Sequence, residues 1–121
     1  MTSNRIERQI EAIAGLPGVV GCALVEIEGG LTWCSAGGPD IMKLAEAATD
    51  YWRLTQRHGP LLQSVLGDLR AQTFIHSEAR ITSVACPQGL LLVTVSGEPD
   101  AVDWRLWKAC VGLLHAVVRA H

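Results

Sequence analysis

The chain opens on a helical repeat. Ile6, Ile10 and Ile13 recur at i, i+4 and i+7 among Arg5, Glu7, Arg8 and Glu11, which predicts an amphipathic helix over 4–14. Ser3 or Asn4 can cap it, and Gly15 ends it. Pro17 cannot continue a helix, so Leu16-Pro17-Gly18 is a turn. Over 19–27 nearly every position is apolar, the mark of a strand covered on both faces. Glu28-Gly29-Gly30 supplies a tight hairpin, and a second strand over 31–35 is short and mixed, as an edge strand is.

After the break at Gly37-Gly38-Pro39, Asp40 can cap a long second helix, which His58-Gly59-Pro60 closes. Its apolar positions form two stripes. Ile41, Leu44, Ala45, Ala48, Trp52 and Thr55 make one; Ala47, Tyr51, Leu54 and His58, at i, i+4, i+7 and i+11, make an adjacent one. Lys43, Glu46, Asp50, Arg53 and Arg57 take the opposite side. Packing on one sheet needs an apolar arc of about 100° or a little more, and the two stripes span roughly half the circumference. The second stripe therefore calls for a second partner.

Residues 60–66, PLLQSVL, predict a further helical turn. A third strand over 69–76 alternates, with Leu69, Ala71, Thr73 and Ile75 facing one way and Arg70, Gln72, Phe74 and His76 the other. A fourth strand covers 80–86. Beyond a turn at Pro87-Gln88-Gly89, the fifth, LLLVTVS, is apolar throughout and so central. Pro99 and Asp100 open a last helix to about 119, with Arg105, Lys108, Gly112, His115 and Arg119 as its polar stripe. The order α-β-β-α-β-β-β-α describes a single α+β domain over 1–121, with no internal repeat.

Ten basic and twelve acidic residues give a net charge of −2 and form no basic run, so the footprint of a nucleic-acid binder is missing. The N-terminal residues lack the apolar core of a signal peptide. The longest apolar runs, about seven to nine residues, fall far short of the roughly 20 that span a bilayer. No membrane insertion and a cytoplasmic location are expected. Apolar residues make up 49% even before the 12 glycines are counted. With them the fraction is about 59%, above the roughly 45–50% usual when glycine is included. The excess suggests that some apolar surface is buried against another chain. The four cysteines, at 22, 34, 86 and 110, make no C-x-x-C pair and match no zinc spacing, so they are expected as reduced structural thiols without metal.

The order of elements, with GLPGVVGCALVEIEGG at its head, resembles the roadblock/LC7 family of dynein light chains and bacterial GTPase regulators. The specific part is the first helix, the Pro17-Gly18-Val19 turn, Gly21 in the first strand and the Gly29-Gly30 hairpin. The resemblance implies a profilin-like sandwich: a five-stranded antiparallel sheet, the first and last strands central. Helices 1 and 3 would cover one face and helix 2 the other. It also implies a homodimer in which the middle helices pack together and the third strands pair. The stripe Ala47, Tyr51, Leu54 and His58 falls where that contact belongs. The Gly59-Pro60 break and the tryptophans of the last helix depart from the family pattern.

Chemistry is scarce. His76-Ser77-Glu78 places an imidazole and a carboxylate on one strand face, but it stands where a hairpin turns, and turns are polar for ordinary reasons. No nucleophile elbow, H-E-x-x-H or P-loop is present. Strands one and five hold no acid or base except Glu26. Of the last helix's tryptophans, Trp107 belongs to the core, and Trp104 sits on the boundary between core and exposed surface. His58 serves as a C-terminal cap or a dimer contact. The expected function is a non-enzymatic homodimeric adaptor or regulator of a small Ras-like GTPase, or of a related signalling or motor complex, with no cofactor. The ridge Glu46, Asp50, Arg53 and Arg57 is its candidate partner surface, or simply a solvated face. The alternative is a small-ligand sensor using a pocket between sheet and helix.

Overall fold

The computed structural model describes residues 4–121, Pro99 by its backbone only. Its strands are β1 (Val19–Glu26), β2 (Thr32–Gly37), β3 (Ala71–Ile75), β4 (Arg80–Cys86) and β5 (Leu90–Ser96). They form one antiparallel sheet in the order β2-β1-β5-β4-β3. The two apolar strands are central, as expected. Every residue of β5 is buried, and so are Gly21 to Val25 of β1.

Around the sheet stand α1 (Asn4–Ala14), α2 (Ile41–Arg57), α3 (Gly59–Leu66) and α4 (Trp104–Ala120). Helices α1 and α4 cover one face. Ile6, Ile10 and Ile13 meet Cys22, Leu24 and Leu92 there, together with Trp107 and Leu114 of α4. On the other face, Ile41, Ala45, Ala48 and Trp52 of α2 pack on Ala23, Val25, Leu91 and Val93. The alternation along β1 and β5 feeds both cores at once. Trp107 is buried, its indole N–H donating to Thr94 Oγ1 at 3.2 Å, so the ring reaches the sheet without leaving a polar atom unsatisfied. Trp104 is half-buried, edge-on to Trp107 at 5.3 Å. No helix among the described residues is long and apolar enough to cross a membrane.

Several expectations need correction. The last helix begins at Trp104, where the Asp103 carboxylate accepts from the N–H groups of Arg105 and Leu106. Pro99–Ala101 forms a separate 3₁₀ turn. A carboxylate binds the free N–H groups of a first turn wherever the chain aims it, and two Pro/Asp signals lay close together. Asp40 precedes α2 but makes no side-chain capping bond. α2 closes at His58 as expected, and Gly59 and Pro60 form the first turn of α3, where a missing N–H costs nothing; the further helical turn expected over 60–66 is an eight-residue helix. β3 is shorter than its alternating pattern, and β2 starts and ends later than expected. The expected Ser3 cap lies outside the described residues.

Gly21 explains part of the motif at the head of the chain. A Cβ built there would lie 2.6 Å from the Ala36 carbonyl oxygen and 2.6 Å from Ile41 Cγ1. Glycine thus lets the start of α2 settle directly on β1. Gly21→Ala is expected to destabilise the domain by about 1–3 kcal/mol through overpacking. Urea denaturation with an unchanged m-value checks this; an unchanged midpoint would mean that α2 does not press on β1 there.

Candidate functional site

The two stripes of α2 meet different surroundings. Ile41, Ala45, Ala48 and Trp52 are buried on the sheet, joined by Thr49, whose hydroxyl donates to the Ala45 carbonyl. Ala47, Tyr51, Leu54 and His58 are all exposed, Tyr51 at 54% and Leu54 at 48%. The Tyr51 ring rests against Phe74 of β3 at 4.9 Å. One turn further on, the Gln72 amide of β3 donates to Thr55 Oγ1. The Tyr51 contact turns the second stripe toward β3, and Thr55 of the first stripe borders the same strand, which ends the sheet and pairs only with β4. β3 holds no charged residue, and Ile75 on its other face is 72% exposed. An exposed apolar helix stripe thus lies beside an open, uncharged strand edge. Such an edge is a ready template for another chain.

The polar ridge divides. Glu46, Asp50 and Arg57 are exposed. Arg53, expected among them as a partner-binding residue, is not free. Its Nε donates to the Ile27 carbonyl, and its Nη1 pairs with Asp50 Oδ1 at 2.9 Å. Its Nη2 fills the space that a side chain on Gly30 would occupy, 2.7 Å from the ideal Cβ, and Gly30 has φ +72°. Arg53 therefore braces the β1–β2 hairpin. The long stem and forked head of arginine suit that span. The sequence holds no sign of it, because helical periodicity does not say which flank of α2 faces the hairpin.

His76, Ser77 and Glu78 form the exposed β3–β4 turn, closed by the His76 N–H donating to the Ala79 carbonyl at 2.9 Å. No group of three or more candidate metal ligands occurs among the described residues. A cleft of about 490 Å³ opens between the end of α2, α3 and the run into β3, rather than between sheet and helix. Gln56, Leu62, Leu66, Asp68 and Arg70 help to line it. Its polar walls are partly satisfied already, since Gln63 donates to Asp68 and Gln72 to Thr55.

The four cysteines are free thiols. Cys22 donates to the Ile10 carbonyl at 3.2 Å. Burial, with Cys34 nearby, pushes its thiol up to about 12. Burial alone takes Cys86 to about 12, and burial together with Glu7 and Glu11 takes Cys34 to about 11.

No protein-family model matches the sequence, and no curated protein does either. Solved structures do match. A roadblock/LC7 domain from Streptomyces avermitilis is 18% identical, with 94% of each chain covered and a TM-score of 0.73. The gliding protein MglB of Thermus thermophilus is 14% identical over all of this chain and 96% of that one, with a TM-score of 0.78. A structure of MglB with a tetrameric arrangement is 16% identical over 98% of this chain and 91% of that one, at a TM-score of 0.74. The fold is that of the roadblock/LC7 domains.

The thiols carry an expected outcome of their own. A thiolate is the reactive form, and at pH 8 these pKa values leave Cys22, Cys34 and Cys86 almost wholly protonated. Titration with an aromatic disulfide reagent should find them slow in the folded protein and all four cysteines fast in guanidinium. Rapid native labelling of Cys22 would contradict its burial.

Proposed function

We propose that this roadblock/LC7-fold protein is a cytoplasmic, non-enzymatic homodimeric adaptor or regulator that binds a small Ras-like GTPase. The observation that carries the reading is the apolar stripe of α2 lying exposed beside the uncharged edge of β3. A second copy can pair its own edge strand there and set its own stripe against the first, an isologous contact that closes on itself. The resemblance of the sequence to the roadblock/LC7 family of dynein light chains and bacterial GTPase regulators, the fold shared with a roadblock/LC7 domain, and the tetrameric arrangement named for one MglB structure point the same way. Regulation by such a protein needs no catalytic group. Differential affinity for two conformations of a partner's switch segments shifts their populations. The small-ligand alternative has the cleft beside α3 in its favour, but the Gln63 and Asp68 side chains on its wall are already bonded to each other.

Two outcomes are expected. Replacing Tyr51 and Leu54 by aspartate should yield a folded monomer, read by light scattering, because the desolvation of two charges opposes the contact. A dimer that persisted would remove α2 from the interface. Replacing Asp50 and Arg57 by alanine should preserve fold and dimer, since exposed charges contribute little to stability. Calorimetry should then show affinity for the GTPase encoded nearest this gene weakened by about 1–3 kcal/mol. Unchanged affinity would clear the ridge of a role, and no binding by the wild type in either nucleotide state would end the GTPase reading. Arg53 is left intact because its loss would disturb the hairpin.

A further inference from the structure

The segment after the Gly59-Pro60 break poses a problem of its own. α3 is eight residues long and has no buried residue. Isolated helices shorter than about 12–15 residues are marginal in water, and those in proteins are held mainly by an apolar face packed on something else. α3 has such a face and nothing on it. Leu61 is 71% exposed, Val65 74% and Leu66 75%. Its own bonds are local: Leu62 N–H to the His58 carbonyl, Gly67 N–H to the Gln63 carbonyl, Ser64 hydroxyl to the Leu61 carbonyl.

What covers it is indicated by charge and by extent. Residues 58–67 carry no Asp, Glu, Lys or Arg, and neither does β3. Loss of charge at the centre of a contact marks interfaces between permanently associated copies more than encounters with a charged partner. The patch follows directly on His58, the last residue of the α2 stripe, and Leu62 and Leu66 share one cleft with Thr55 and Leu69. Of the twelve large apolar side chains exposed among the described residues, seven fall between Tyr51 and Ile75. Extent agrees as well. An interface of standard size uses about 20–30 residues a side. The four residues of the α2 stripe and the five of β3 fall well short of that, and the eight of α3 bring the total to 17, close to its lower end.

We infer that the apolar face of α3 is covered by a second copy of this chain, so that each protomer's α3 is an arm of the interface and is held in place by its partner. The inference rests on the homodimer reading and adds to it a segment that the middle helices and edge strands do not include.

The test uses the full chain. Sedimentation across a concentration series compares the wild type with the double variant Leu61→Asp, Val65→Asp. Neither residue is buried, so the far-UV spectrum outside α3 should be kept while the dimer dissociation constant rises at least a hundredfold. A variant within threefold of the wild type would overturn the inference and leave the homodimer standing. A wild type that is monomeric at every concentration would instead sink the homodimer reading, and this inference with it. Hydrogen exchange on the unmodified protein gives a second measurement. Amides of 61–66 should gain protection as concentration rises through the dissociation constant. Equal protection in monomer and dimer, or protection only after a GTPase is added, would also overturn it.

Discussion

The central strand pair β1 and β5 has no polar side. Residues 22–25 and 90–95 are buried whichever way they point, on the α1/α4 face and on the α2 face alike. A strand pair of this kind cannot rest against water on either side, and the rest of the architecture follows. Three helices are needed as covers, two on one face and one on the other. Each must bring an apolar stripe of matching length. The hairpin glycines and the turn at residue 18 exist to bring the chain back quickly enough for those covers to close.

The α2 side shows the constraint at its tightest. One helix has to do there what two do on the opposite face, so it sits low, with Ile41 on Gly21 and Trp52 sealed at 1% exposure. It cannot also blanket β3 at the far edge of the sheet. Tyr51 leans on Phe74 and Thr55 takes the Gln72 amide, but beyond those contacts the edge is open. The place where α2 runs out of width is where the uncharged, apolar surface gathers. The interaction surface is thus the remainder of a covering problem solved with one helix.

How much of this was visible in the sequence differs between elements for physical reasons. Ile6, Ile10 and Ile13, and the runs in β1 and β5, stood out because burial on one or both faces writes a strict period into the residues. The second stripe of α2 was legible for the same reason, as an excess over what one sheet requires. Caps were less so, since the carboxylates at 40, 100 and 103 look alike until the chain aims one of them. α3 was legible only as a further helical turn over 60–66, because a glycine and proline after a helix mark its end without saying how far the next one runs. The brace made by Arg53 could not be found at all, because a contact between positions 26 residues apart leaves no mark on local periodicity.

The distribution of the four tryptophans has a spectroscopic consequence. Trp52 is the only indole in the α2-side core, whereas Trp107 lies within the opposite core and Trp33 and Trp104 pack against it. The two halves of the sandwich therefore carry separate fluorophores. With Trp52 kept and the other three replaced by phenylalanine, emission follows the helix nearest the open edge alone. The reciprocal variant follows the two-helix side. Whether the layers come apart together or in turn then becomes a matter of comparing two emission curves.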